Sequence, residues 1–159
     1  MTQVEGKKLP LEKQQEMLIE AVALKLPLLY QSLTETYGAE KGRQMYDEIF
    51  ETNFKKRAAR FMGKSIIDIM MAEIEVFPAF GWEIFIEKKE ENSTTFCYEH
   101  LGRCPHFDAT RKYKLPEPCS IICDMDCVMG EKYKVAKWER ISHMPSGDKE
   151  CCFKITPFV

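Results

Sequence analysis

The residues best equipped for chemistry in this chain of 159 residues are its seven cysteines, at positions 97, 104, 119, 123, 127, 151 and 152, all in the C-terminal part. An odd number cannot pair completely within one chain. A reducing compartment keeps such thiols free, so the pattern points to metal binding or thiol chemistry rather than a disulfide framework. In Cys119-Ser120-Ile121-Ile122-Cys123-Asp124-Met125-Asp126-Cys127 the sulfurs recur at every fourth residue, which on a helix makes one slowly drifting stripe that also carries Asp126. Soft sulfur and a carboxylate on one face can hold a metal or set a thiolate beside an acid/base group. Free cysteine is also among the most buried residue types, so the same stripe can simply pack on a sheet.

A second reactive neighbourhood is Gly102-Arg103-Cys104-Pro105-His106, which sets a thiol and an imidazole at a strand-to-helix junction, where a helix N-terminus favours a thiolate. The plain alternative is a turn with Cys104 buried and His106 capping or solvated. Cys151 and Cys152 are adjacent and point to opposite faces of a strand: Cys151 goes inward with Phe153 and Ile155, Cys152 with Lys154 and Thr156. No pair has the C-x-x-C spacing of a zinc knuckle or redox motif, so any metal site must be assembled by the fold. Its ligands would be Cys104, Cys123 and Cys151, with Cys127, Asp126 or His106 as the fourth, a set suited to zinc or another soft transition metal. His143 at a strand end reads as structural, His100 on the aromatic strand face admits either role, and the runs Lys55-Lys56-Arg57 and Lys88-Lys89-Glu90-Glu91 read as solvated surface.

Positioning these groups requires helices first and a sheet second. Apolar residues at helical spacing predict a helix over residues 11–33, kinked or divided at Pro27, a second from Ala39 to about Met62, and a third from Ser65 to about Glu75 with Ser65 as its cap. After Pro78, alternation over Trp82–Glu87 predicts a strand, the charged run 87–92 a turn, and Thr94–His100 the returning strand. A short helix at Pro105–Tyr113 and another from Pro116 to Met129, ended by Gly130, precede strands at 134–143 and 150–156. The expected fold is α+β: a four-stranded antiparallel sheet against N-terminal helices, with two short helices inserted between strands 2 and 3. It is read as a single domain over 1–159, with 1–75 as helical support and 76–159 as sheet and cysteine-rich site.

Composition narrows the function. Hydrophobic residues make up 45% and charged residues 30%, enough for a core, and the net charge of −2 gives no basic excess for nucleic acid. The chain lacks G-x-G-x-x-G, G-x-x-x-x-G-K-[ST] and H-E-x-x-H, which argues against a nucleotide cofactor and zincin chemistry. Charged residues interrupt the apolar stretches and the N-terminus is polar, so neither a membrane partner nor a signal peptide is expected and a cytoplasmic location is the default.

From Gly102 to Ile155 the chain carries Arg103-Cys104-Pro105-His106-Phe107, Leu115-Pro116-Glu117, Cys123-Asp124-Met125-Asp126, Trp138-Glu139-Arg140, and Gly147-Asp148 ahead of Cys151-Cys152-Phe153-Lys154-Ile155. In this order it resembles the L-2-amino-thiazoline-4-carboxylic acid hydrolase-like family, and its close also looks like the end of 4-vinyl-reductase-type small-molecule-binding domains. The resemblance implies an α+β fold with a ligand pocket beside the cysteines. It matches Cys104, Cys123, Asp126 and Cys151 to the family's recurring polar positions and leaves Cys119, Cys127 and Cys152 as additional sulfurs. The implied activity is hydrolytic opening of a small sulfur/nitrogen heterocycle at a ring carbon–nitrogen bond. In one mechanism Cys123 adds to the ring carbon while Asp126 or His106 moves protons. In the other, Cys104, Cys123, Cys151 and Cys127 hold zinc, which activates a water with Asp126 as base. Converging thiols without a metal are prone to oxidation, which favours the second. The competing class is a non-enzymatic small-molecule or metal-binding sensor module. In either class Phe96, Tyr98, Trp138 and Phe153 would line the pocket, a small molecule would be the partner, and the N-terminal helices would allow a homodimer.

Overall fold

The computed structural model describes residue 6, residues 8–60 and residues 63–158. Helix α1 (Leu11–Tyr37) turns at Gly38 into α2 (Ala39–Ala59). The two pack closely because Gly42 has no side chain: a Cβ there would lie 2.6 Å from the Leu33 carbonyl. Pro27 does not divide the helix, and α1 runs through it. By length and composition α1 is also apolar enough to cross a bilayer, contrary to the sequence reading, although in this fold it lies along α2 and α4. Leu11, Met17, Leu18, Val22 and Leu28 remain exposed along it.

Helix α3 (Ile66–Val76) starts where Ser65 Oγ accepts a hydrogen bond from the Ile67 amide at 3.2 Å. The sheet follows, with β1 (Glu83–Glu91), β2 (Thr94–Arg103), β3 (Lys137–Ser142) and β4 (Cys151–Thr156) in the order β1-β2-β4-β3, every neighbouring pair antiparallel. The charged run 87–91 is strand rather than turn: Glu87–Glu91 pair with Tyr98–Thr94, and the reversal is made by Asn92 and Ser93, whose φ values of 49° and 63° are those of a two-residue hairpin turn. Main-chain pairing outweighs the weak strand preference of Lys and Glu, whose heads stay in water at the sheet edge.

Between β2 and β3 come α4 (Pro105–Lys112) and α5 (Cys123–Lys132). The expected helix from Pro116 is divided: Cys119–Ile121 form a 3-10 turn, and Ile122, at φ −120° and ψ −76°, breaks the path before α5. The break seats Ile121 and Ile122 among Tyr46, Phe50 and Phe54 of α2, and Tyr46 Oη donates to the Ile121 carbonyl at 2.8 Å. Gly130 does not end α5. It lets Trp138 lie against the helix, since a Cβ would meet the indole at 2.3 Å.

Two apolar clusters result. In one, α3 (Ile66, Ile67, Ile69, Met70) covers the inner sheet face (Cys97, Leu101, Cys151, Phe153, Ile155). In the other, α2 packs on Ile121, Ile122, Met125 and Met129.

Candidate active site

Where the two clusters meet they leave a cavity of about 290 Å³. Its wall is largely apolar, from Phe50 and Phe54 on one side and Ile69, Met70, Trp138 and Phe153 on the other. Into it are set Arg57, Glu73, Glu99, His106, Cys123 and Asp126. A mostly apolar chamber with a few convergent titratable groups is the usual form of a small-molecule site.

Glu99 stands on the inner face of β2 between Cys97 and Leu101, opposite Phe153, and is 8% exposed. Burial pushes its carboxyl up to about 8, and the neighbouring acids Glu73 and Asp126 push the same way. Glu73, one and two turns beyond Ile69 and Ile66 on the buried side of α3, is raised to about 7, chiefly by burial, against the pull of Arg57. Near neutrality Glu99 is mainly the neutral acid, able to donate a proton or a hydrogen bond.

His106, on the first turn of α4, faces the opposite need. Its Nδ1 lies 2.7 Å from the Ala23 carbonyl oxygen. A carbonyl only accepts, so Nδ1 carries the hydrogen and Nε2 is left as the acceptor. That carbonyl is available because its ordinary partner in α1 would be the amide four residues on, and residue 27 is proline, which has none. Burial holds the imidazole below its usual value, so it stays neutral, and Trp82 packs edge-on against it with ring centres 5.7 Å apart.

Asp126 forms an ion pair with Arg57 at the cavity wall, yet burial still raises its carboxyl. Arg57, read from sequence as solvated surface, thus reaches the site, its guanidinium also lying over Phe54 at 5.1 Å. The neighbouring Cys119 thiol lowers Cys123 and so favours its thiolate, while Cys119 itself is raised. Burial pushes Cys104 and Cys127 both up to about 12, and raises Cys151 as well, leaving these sulfurs as protonated thiols.

Of the expected residues, then, Cys123, Asp126, His106, Cys127, Trp138 and Phe153 share the cavity, whereas Phe96 and Tyr98 do not. Register explains the error: Glu99 pairs with Phe153 and Tyr98 with Lys154, so Phe96 and Tyr98 lie on the outer face with Phe85 and His100. Nor do Cys104, Cys123, Cys127 and Cys151 form a ligand set. Among the described residues, the trio whose ligand atoms all lie within 4.8 Å of one another is Glu117, Cys119 and His143. Sequence reading misses Glu73 and Glu99, although each leaves a trace: Glu73 is an acid one turn past the buried Ile69, and Glu99 alternates with Cys97 on one strand face.

No curated protein matches the chain. The model of the L-2-amino-thiazoline-4-carboxylic acid hydrolase family matches residues 16–155, which takes in the helices that contribute Ala23, Arg57 and Glu73 as well as the cysteine-bearing segment. With that coverage and this α+β fold, the chain belongs to the L-2-amino-thiazoline-4-carboxylic acid hydrolase family.

Proposed function

We propose that the cavity binds a small cyclic amidine-type heterocycle bearing a carboxylate, of the 2-amino-thiazoline-4-carboxylate kind, and hydrolyses it. The observation that carries this reading is the placement of two acids, Glu73 and Glu99, and a neutral imidazole, His106, in one apolar chamber. The nitrogen-rich end of such a ring is a planar donor that protonates readily, and Glu73 is its acceptor, while Glu99 keeps its proton for the ring nitrogen that leaves. Arg57, with donors beyond the one given to Asp126, suits the ring's carboxylate.

Hydrolysis then follows from the two protonation states. His106 Nε2 takes a proton from a water as its oxygen bonds to the amidine carbon. As the ring carbon–nitrogen bond breaks, the departing nitrogen takes the proton of Glu99, the added hydroxyl returns its own proton to that carboxylate, and the proton held by His106 passes to the freed amine, leaving a carbamoyl group on sulfur. The tests are product identity and pH dependence with 2-amino-thiazoline-4-carboxylate. The rate should rise with pH through the lowered His106 value and fall above about 8, and Glu99→Gln should lower kcat while leaving the melting temperature at pH 5 intact. A product with a free thiol, or full turnover in Glu99→Gln, would exclude this route. Tight binding without turnover in the wild type would leave a binding module.

Because Cys123 also lines the cavity, covalent attack by its sulfur is the second reading. Cys123→Ser should then abolish turnover and retain ligand binding. Unchanged kcat removes Cys123 as nucleophile.

A further inference from the structure

We infer that Glu117, Cys119 and His143 form a zinc site, outside the cavity, that ties the α4–α5 connection to the loop after β3. The three ligand atoms lie within 4.8 Å of one another. A tetrahedral zinc with bonds of about 2.0–2.3 Å sets its ligand atoms roughly 3.3–3.8 Å apart, so side-chain shifts of about 1 Å close the set. One sulfur, one imidazole and one carboxylate make a zinc donor set, and none of the three lines the cavity.

A second observation points the same way. His143 Nδ1 is engaged by Ser146 Oγ at 3.0 Å, while Nε2 is buried with no hydrogen-bond partner among the described residues. A buried ring nitrogen without a partner is costly, and a metal would satisfy it, with Ser146 orienting the ring from the other side. The backbone of the trio is also held. Glu117 accepts a hydrogen bond from the Cys119 amide, and the His143 amide donates to Asp148 Oδ2 at 2.7 Å. Of the sulfur stripe read from spacing only Cys119 belongs to the trio, which shares no ligand with the set Cys104, Cys123, Cys127 and Cys151.

The test is cobalt titration of the full chain, followed by zinc displacement and metal analysis. One cobalt per chain is expected, with a thiolate-to-cobalt charge-transfer band that zinc bleaches. His143→Ala and Glu117→Gln, both in loops, should each weaken binding by more than about tenfold, the loss usual for removing even a supporting partner. Cys119→Ser should remove the band, and Cys104→Ser should keep it. No band in the wild type, or a band that survives His143→Ala at unchanged affinity, or one lost in Cys104→Ser, overturns the site.

Discussion

Glu99 and Glu73 carry acid forms into the neutral range, and stability must respond. In the folded chain Glu99 releases its proton at about 8 and Glu73 at about 7, against ordinary carboxyl values near 4.5. Between those limits the folded state holds more protons than the unfolded one, so stability is full at low pH in this window and falls as pH rises through the folded values. The urea midpoint should therefore be lower at pH 8 than at pH 5, and Glu99→Gln should flatten that fall; a wild-type midpoint indifferent to pH would contradict the burial of these acids. Tyr46 gives a simpler case. Its hydroxyl is buried and donates to the Ile121 carbonyl, so Tyr46→Phe should cost about 1 kcal/mol by chemical denaturation.

At the scale of elements, two residues that sequence reading treats as helix breakers turn out to serve packing and hydrogen bonding. Pro27 leaves α1 intact and frees the Ala23 carbonyl for His106. Pro27→Ala supplies a competing amide, so nitrogen NMR of His106 should show the second tautomer gaining population while the melting temperature does not fall. Gly130 sits against the Trp138 indole, and Gly130→Ala should destabilise by about 1–3 kcal/mol and shift the tryptophan emission; an unchanged midpoint would mean that the indole moves aside freely. Neither role is visible in a sequence, because each depends on a partner brought near by the fold: residue 106 for one, residue 138 for the other. Local patterns give the elements present, though not their limits, since the turn of the hairpin and both ends of the helix before β3 lie elsewhere than the sequence suggests. Ser65 as a cap, the hairpin, and the helices between strands 2 and 3 all rest on patterns within a few residues. Which strand face is inward was harder, since β2 carries Phe96 and Tyr98 on one side and Cys97, Glu99 and Leu101 on the other, and apolar content alone selects the wrong one.

For the molecule as a whole, the site lies between two cores rather than within either, so a ligand there adds contacts to both. At a concentration of one hundred times Kd, a bound heterocycle should add about 2.7 kcal/mol to the unfolding free energy, read as a rise in melting temperature. Arg57→Ala should shrink that rise for the carboxylated ring and leave it unchanged for the same ring without its carboxylate. The outer edge of the sheet has a different consequence. Strand β1 ends the sheet with an open row of amides and carbonyls, a ready template for a stranger's strand, but over Glu87–Glu91 it alternates short blocks of acid and base. A chain adding there would have to strip water from those charges. The run that reads as a turn in the sequence is thus what keeps one sheet from growing into the next, and replacing Lys88 and Glu90 with valine would trade solubility for fibres.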